Sequence, residues 1–412
     1  MEKKIIIVSG EPSGDLQAGL LISGLKELDS GIGVFSVGGS CSQKAGAEII
    51  QDIKGLSVLG FFDVLKKLGE FKKLMRLVLD KIEEIKPEAI ILVDFSGFNL
   101  RLAKKINKRV RTIYYISPQV WASRPGRIRT IKKFIDKMLV IFQFEQDFYK
   151  KFGIDAEFVG HPLLGLVKPS MSKEEARNEF GLNETSPVFA LLPGSRAGEV
   201  KRILPIMLES ARLIQEKILE AKFIISKPPS LDNTIYEKIL KSSLRRMKPF
   251  FQSLRGALTQ SGRRSNLNLE IKLIEAKQYD CLNVADFVLV ASGTATLETA
   301  IMQKPNVVIY KMGFLNYLLY RPLVKVPFIG MENIVAGKEL APEFIQFRAK
   351  PKLIADKILE VFQDKKRLLE IEKGFLELKE RLGQPHAPLR AAKSILALIN
   401  SSNNGCALSG LD

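Results

Sequence analysis

Cysteine and histidine are scarce in this sequence. Three cysteines, Cys41, Cys281 and Cys406, lie far apart in 412 residues. An odd, scattered set excludes a disulfide scaffold and a cysteine-rich zinc site, and it fits a reducing compartment. The only histidines, His161 and His386, exclude a multi-histidine metal centre. Long apolar runs are missing too. One long uncharged stretch, Ser30 to Gln43, is rich in Gly and Ser. It is too polar and too short for a bilayer span, which needs about 18 apolar residues. The start, Met1-Glu2-Lys3-Lys4, precedes only a brief apolar run, so no secretory signal is read and a cytoplasmic chain is expected. Several signatures are absent as well. No G-x-G-x-x-G stands at the first turn, which argues against a nicotinamide enzyme. The P-loop pattern and the G-x-S-x-G elbow are missing. No D-x-D pair offers carboxylates to a metal, so chemistry without metal or cofactor is expected.

What is present is an ordinary globular composition, 46% apolar and 26% charged, with a strong positive surplus. Lys and Arg number 63 against 45 Asp and Glu, giving +18. The surplus is clustered. Arg101 to Lys133 carries eleven basic residues and no acidic one, and Lys238 to Arg264 carries eight and none. An anionic partner follows: nucleic acid, a phosphorylated substrate or acidic lipid head groups. Aromatics are too sparse along the first run, beyond Tyr114, Tyr115 and Trp121, for base stacking, so nucleic acid is disfavoured.

Short β-branched runs alternate with helical patterns, which predicts an α/β chain with parallel sheets covered on both faces. Ile5–Ser9, Val34–Val37, Ala89–Asp94, Thr112–Ile116, Met138–Phe142 and Glu157–Val159 are the first strand series. A second begins at Val188–Leu192 and continues through Lys222–Ile225, Lys272–Ile274, Phe287–Val290 and Asn306–Tyr310. Between the series, Ser172-Lys173-Glu174-Glu175 is a capping-box signature for one short helix. Three segments are predicted: 1–163, 164–385 and a C-terminal helix with tail, 386–412, that could return to the first domain. Ser242 to Leu269, rich in Arg, Ser and Gln, has no clear period and reads as a surface insertion.

Ligands of doubly wound sheets bind beyond the carboxyl ends of the strands. Gly and polar residues collect there: Ser9-Gly10-Glu11-Pro12-Ser13, Asp94, Ser117-Pro118-Gln119, Gly160-His161-Pro162, Pro193-Gly194-Ser195-Arg196 and Ser292-Gly293-Thr294-Ala295-Thr296-Leu297-Glu298. The last combines a small-residue turn with a helix start, an arrangement suited to a diphosphate, with Glu298 available to ribose hydroxyls. An ordinary capped helix is the plainer alternative. Arg196 could bind phosphate bidentately or simply sit at the surface. Asp94 ends an apolar strand and is a candidate general base, or a structural carboxylate accepting loop N–H bonds. His161 is a second candidate base or substrate ligand, although a lone histidine before proline is more often structural.

Phe61 to Ile82 is amphipathic. Phe61, Leu65, Leu68, Phe71, Met75, Val78 and Ile82 recur at helical spacing, with Lys66, Lys67, Lys72, Lys73 and Arg76 around them. A core-facing helix is the default. The alternative is contact with membrane or acyl chains, with Phe61 and Phe62 as apolar bulk.

Taken in order, Ser9 to Asp15, Val93 to Asn99, Ser117 to Ala122, Phe158 to Pro162, Leu191 to Arg196 and Ala291 to Glu298 resemble the lipid-A-disaccharide synthase family over nearly the whole chain. The resemblance implies a GT-B fold, two Rossmann-like αβα domains facing each other across a cleft. It implies an inverting transfer of 2,3-diacylglucosamine from its UDP derivative to 2,3-diacylglucosamine 1-phosphate (lipid X), giving a β-1,6 disaccharide and UDP. The acceptor is expected on the first domain and UDP on the second. Asp94 is implied as the essential aspartate, with Ser13 near the reacting centre. Ser195, Arg196, Ser292, Gly293, Thr294, Thr296, Glu298 and Asn333 are implied at UDP. Phe61, Phe62, Leu65 and His161 are candidates for acceptor or lipid contact. The implied partners are a UDP-linked lipid donor, a phosphorylated lipid acceptor and the anionic inner face of the cytoplasmic membrane, with a homodimer left open. Many relatives carry a second Asp where Gly97 stands here, and Trp-Ala-Trp where this chain has Trp121-Ala122-Ser123. Another UDP-sugar enzyme, an epimerase or a different glycosyltransferase, is the alternative reading.

Overall fold

The computed structural model of the protein describes residues 3–54, 68–123, 125–260, 269–324 and 326–405. The chain divides into two compact units, Met1–Gly165 with Leu382–Asp412, and Leu166–Arg381. Phe61, Phe62 and Leu65 lie outside the described residues.

The first unit is built on a parallel sheet of β1 (Lys4–Val8), β2 (Gly33–Gly38), β3 (Glu48–Asp52), β4 (Ala89–Val93), β5 (Arg111–Tyr115), β6 (Lys137–Val140) and β7 (Ala156–Phe158), in the order β3-β2-β1-β4-β5-β6-β7. Every residue of β4 is buried, because helices cover both faces and the strand is apolar throughout. β1 and β4 pair side by side, yet the chain leaves β1 toward β2 and leaves β4 toward β5. That reversal opens a crevice at their carboxyl ends. The helix Leu68–Ile85 buries Leu74, Val78 and Ile82 in the core with Phe71 and Met75 beside them, while Lys72, Lys73 and Arg76 stay exposed. For this half of the amphipathic stretch the core-facing reading is the observed one.

The second unit repeats the plan with β8 (Val188–Leu192), β9 (Lys222–Lys227), β10 (Ile271–Glu275), β11 (Phe287–Ala291), β12 (Asn306–Tyr310) and β13 (Glu343–Ile345), ordered β10-β9-β8-β11-β12-β13 and parallel throughout. Its crevice falls between β8 and β11. The short helix Lys173–Glu179 begins with the reciprocal cap expected: Glu175 N donates to Ser172 Oγ at 3.2 Å and Ser172 N donates to Glu175 Oε2 at 2.8 Å.

The C-terminal helix Ala387–Gly405 packs on the helix Pro12–Leu28 of the first unit, where Gly24 lets it approach: a Cβ there would lie 3.3 Å from Leu389 Cα. Ala391, Ala392, Ile395 and Ile399 join Leu21, Ile22 and Leu25 in one core cluster. Two expectations need correction. Ser242 to Gln260 is not an aperiodic insertion but the second part of a helix, Asn233–Gln260. Pro249 stands inside it, and an interior proline is the residue that most argues against a helix. The strands β3 and β13 were not anticipated, because β3 is a polar sheet edge and β13 only three residues long.

Candidate active site

Asp94 follows the last residue of β4 and takes a left-handed backbone, φ 47°, as does Phe95 at φ 44°. Such a conformation costs about 1–2 kcal/mol for a residue with a Cβ, and the surroundings hold it in place. The Asp94 carbonyl accepts bonds from Tyr114 Oη at 2.5 Å and Asn99 Nδ2 at 2.9 Å. The Asp94 N–H donates to Tyr115 O at 3.2 Å. The Phe95 ring lies over Gly10, where a Cβ would stand 2.3 Å from the ring, so the loop after β1 reaches Asp94 only because residue 10 has no side chain. Phe71, Phe95 and Phe98 form an aromatic cluster with centroids 5.4–6.2 Å apart. Burial pushes the Asp94 carboxyl up to about 6, the neighbouring Glu11 carboxylate adds to the rise, and the Phe95 N–H opposes it. A carboxylate of that basicity remains ionised at neutral pH and binds a proton more readily than an exposed one.

Ser13 is exposed in the first turn of the helix Pro12–Leu28. Asp15, two residues on in the same turn, is structural: its carboxylate accepts from Gly39 N at 2.7 Å, Cys41 N at 2.9 Å and Ser42 Oγ at 2.6 Å. Burial alone would raise its pKa, but these bonds hold it below the ordinary value. The loop after β5 is anchored by Glu145, a fully buried carboxylate at the start of the helix Gln143–Lys150. Its Oε1 accepts from Ser117 Oγ at 2.6 Å and from Trp121 Nε1 at 3.0 Å. Burial pushes this carboxyl up to about 7 against those bonds. His161 is buried against Phe142, and its Nδ1 accepts the Leu163 N–H at 3.2 Å. Burial lowers its pKa to about 3, so the imidazole is neutral and occupied in holding its own turn.

In the second unit a cavity of about 650 Å³ opens at the carboxyl ends of β8 and β11, a size suited to a small-molecule ligand. Ser195, Arg196, Ser292, Gly293, Thr294 and Glu298 line it, together with Lys168, Ser170 and Tyr279. Gly194 turns the chain at φ +109°, where a side chain would strike Glu199. Arg196 is half exposed at the cavity and paired with Glu199 at 3.3 Å. The helix Thr294–Ile301 starts at the cavity behind Gly293, φ +153°, and offers backbone N–H groups and the positive end of its dipole to a phosphate. Glu298, one turn along, accepts from Gln278 Nε2 at 2.5 Å and Tyr279 Oη at 3.0 Å. Burial raises its pKa and these donors oppose the rise. A carboxylate so held keeps acceptor capacity for ligand hydroxyls.

Two of the residues singled out in sequence do not reach the cavity wall. Thr296 is fully buried, donating to Gly293 O at 2.9 Å and accepting from Met331 N at 3.1 Å. Asn333 is fully buried too. Its Nδ2 donates to Ala341 O and Glu343 Oε1, and its Oδ1 accepts from Leu340 N and Ala341 N. Thr296 braces the turn at Gly293 from behind, and Asn333 ties its own helix to β13 and the turn before it. Sequence reasoning passed over Glu145, Lys168, Gln278 and Tyr279. Gln278 and Tyr279 follow β10 directly, and the rule that sites sit at strand ends would have found them. Glu145 carries no such signal. Among the described residues no cluster of three or more His, Cys, Asp or Glu could hold a metal, and no helix is long and apolar enough to cross a membrane.

The chain is similar to known proteins along nearly its full length. A family model described as lipid-A-disaccharide synthetase matches residues 5–254 and 240–396. A lipid-A-disaccharide synthase of Syntrophus aciditrophicus is 39% identical over 402 residues, covering 97% of this chain and 99% of its own. One of Coxiella burnetii is 34% identical, covering 97% and 99%. Among solved structures, S. aureus MnaA in a UDP co-structure matches with a TM-score of 0.60 at 13% identity, covering 97% of each chain. MurG of Acinetobacter baumannii matches at 0.53 and 12% identity, covering 96% and 99%. At those identities the structural likeness speaks for the two-unit fold alone.

Proposed function

The chain belongs to the lipid-A-disaccharide synthase family, a family of glycosyltransferases, and from that premise we propose that it joins UDP-2,3-diacylglucosamine to 2,3-diacylglucosamine 1-phosphate. The first unit takes the acceptor and the second takes UDP. The observation that carries this reading is the pairing of two kinds of site. One sheet ends in a desolvated carboxylate, Asp94. The other ends in a cavity with a helix start, a half-exposed arginine and a carboxylate braced by Gln278 and Tyr279.

The chemistry follows from the charges. The acceptor 6-hydroxyl gives its proton to Asp94 as its oxygen forms a bond to the donor's anomeric carbon. The bond from that carbon to the diphosphate oxygen breaks, and UDP leaves with the electron pair. Attack opposite the leaving group turns an α-linked donor into a β-1,6 product. The charge growing on the diphosphate is met by the N–H groups at Thr294–Ile301 and by Arg196. Glu298 accepts ribose hydroxyls. Ser13, exposed in the first turn of the helix after β1, is assigned to the acceptor side of this reaction. Substrates with acyl chains reside in a membrane, so the enzyme works at the inner face of the cytoplasmic membrane as a peripheral protein, drawn there by its +18 charge.

The test is incubation of the purified protein with both lipids in mixed micelles, following UDP and disaccharide by mass spectrometry with and without EDTA. Disaccharide that forms in EDTA supports the reaction and its independence from metal. UDP binding with no disaccharide, or conversion of UDP-N-acetylglucosamine instead, would sink the assignment in favour of another UDP-sugar reaction.

A further inference from the structure

Beyond the substrate cavity, the second unit carries an exposed apolar face. Phe314 is 57% exposed, Leu318 52% and Phe347 64%. Phe314 and Leu318 are one turn apart on the helix Phe314–Tyr320, which follows β12. Phe347 lies in the turn Gln346–Arg348, which follows β13. The two segments are one surface. The Phe347 ring stands 6.5 Å from Phe314 and 6.0 Å from Tyr317. Beneath them the buried amide of Gln346 ties the segments together, accepting from Met312 N and donating to Met312 O, both at 3.1 Å. β12 and β13 are neighbours in the sheet whose carboxyl edge also holds the cavity. The apolar face is therefore on the substrate side of this unit.

Its rim is cationic. Arg321 lies over the Tyr317 ring at 5.9 Å. Arg348 and Lys350 are exposed beside Phe347, and no ion pair involves them among the described residues. Lys311 to Met331 contains three basic residues and no acidic one. Contiguous exposed apolar surface with a charged rim marks an interaction site. A helix of seven residues spans only about 10 Å, enough to lie in an interface and not to cross it.

We propose that this face, formed by Phe314, Leu318 and Phe347 with Arg321, Arg348 and Lys350 around it, docks the second unit on an anionic lipid bilayer. Charge complementarity selects that occupant. A two-fold pairing with a second copy would set the same patch against itself and so bring the arginine and lysine rims together. Anionic lipid head groups neutralise the rim while the rings enter the acyl boundary. The inference deepens the reading above, which puts both substrates in a membrane. It adds the surface by which the nucleotide-binding unit reaches them.

The experiment is sedimentation of the full chain with vesicles of phosphatidylcholine, with and without about a third phosphatidylglycerol. The wild type should bind the anionic vesicles far better than the neutral ones. Phe314→Ser combined with Phe347→Ser should weaken binding about tenfold or more. Arg348→Gln with Lys350→Gln should weaken it about fivefold per charge, on anionic vesicles only. All variants should keep the wild-type circular dichroism spectrum and UDP affinity. Unchanged vesicle binding in both variants would overturn the proposal. So would loss of a dimer in sedimentation velocity with vesicle binding intact, which would assign the patch to a second copy. The readout is independent of turnover. If the micelle assay gave no disaccharide while vesicle binding still depended on these residues, the reaction would be misassigned and the docking surface would stand.

Discussion

Asp94 owes its chemistry to the place where its strand stops. A carboxylate at the end of a fully buried strand, beside Phe71, Phe95 and Phe98, loses water, and burial with the nearby Glu11 lifts it to about 6. As the proposed base it must be ionised, so kcat/KM should rise with pH through about 6 and level off above. Asp94→Asn should lower kcat by about 100-fold or more, abolish that rising limb and leave UDP affinity within about twofold; initial rates across pH and calorimetry with UDP check both. Glu145 offers a second titration with its own reporter, because Trp121, the only tryptophan, donates to its carboxylate. Tryptophan emission should shift with a midpoint near pH 7, and Glu145→Gln should lose the shift. The linkage runs in a definite direction. Glu145 is raised above the ordinary 4.5 to about 7, so its contribution to stability is full below about pH 4.5 and is lost as pH rises through 7. The Tm of Glu145→Gln minus that of wild type should therefore increase by a few degrees between about pH 5 and pH 8.

At the scale of elements, the decisive contacts are close approaches that a side chain would forbid. Gly10 lies under the Phe95 ring with no room for a Cβ. Gly10→Ala must displace Phe95 or the loop after β1, and overpacking of this kind costs about 1–3 kcal/mol. Urea unfolding should register that loss, and turnover should fall more than stability does, because the displaced ring is part of what desolvates Asp94. The other elements divide by how much of their pattern is local. β4, β8 and β11 are apolar from end to end and read as buried strands directly. β3 takes its place from pairing with β2, a fact its own polar residues do not announce. The helix Asn233–Gln260 continues past Pro249, where local propensity argues for a stop. Likewise Glu145 was silent in sequence: one Glu near a helix start has no signature, and its role appears only when Ser117 and Trp121 come to it from another loop.

At the scale of the whole molecule, the chain leaves the first unit, builds the second and returns. The returning helix Ala387–Gly405 supplies Ala391, Ala392, Ile395 and Ile399 to a core cluster that also draws on β1, β2, β4, β5, β6 and the helix Pro12–Leu28. Arg390 locks the return, its Nε donating to Val159 O at 2.8 Å. Truncation after Arg381 should expose that cluster, cost several kcal/mol of stability in the first unit and cause aggregation, while the second unit keeps the cavity proposed for UDP. Differential scanning calorimetry with and without UDP should show the second transition preserved and still raised by UDP.

Alternating apolar and helical periods, the glycines and prolines at strand ends, the positive surplus and six motifs in order are properties of the sequence itself. They suffice for the α/β class, for the family and for Asp94, Arg196 and Glu298 as candidates, because each depends on residues close together along the chain. The tertiary structure alone decided the rest. It buried Thr296 and Asn333 behind the cavity wall instead of in it, made His161 a neutral anchor, and brought Tyr279 and Gln278 to Glu298. It also assembled an apolar face from two segments some thirty residues apart. Desolvation, occupied hydrogen-bond capacity and surface exposure are set by neighbours distant in sequence, and those neighbours meet only when the sheets have formed.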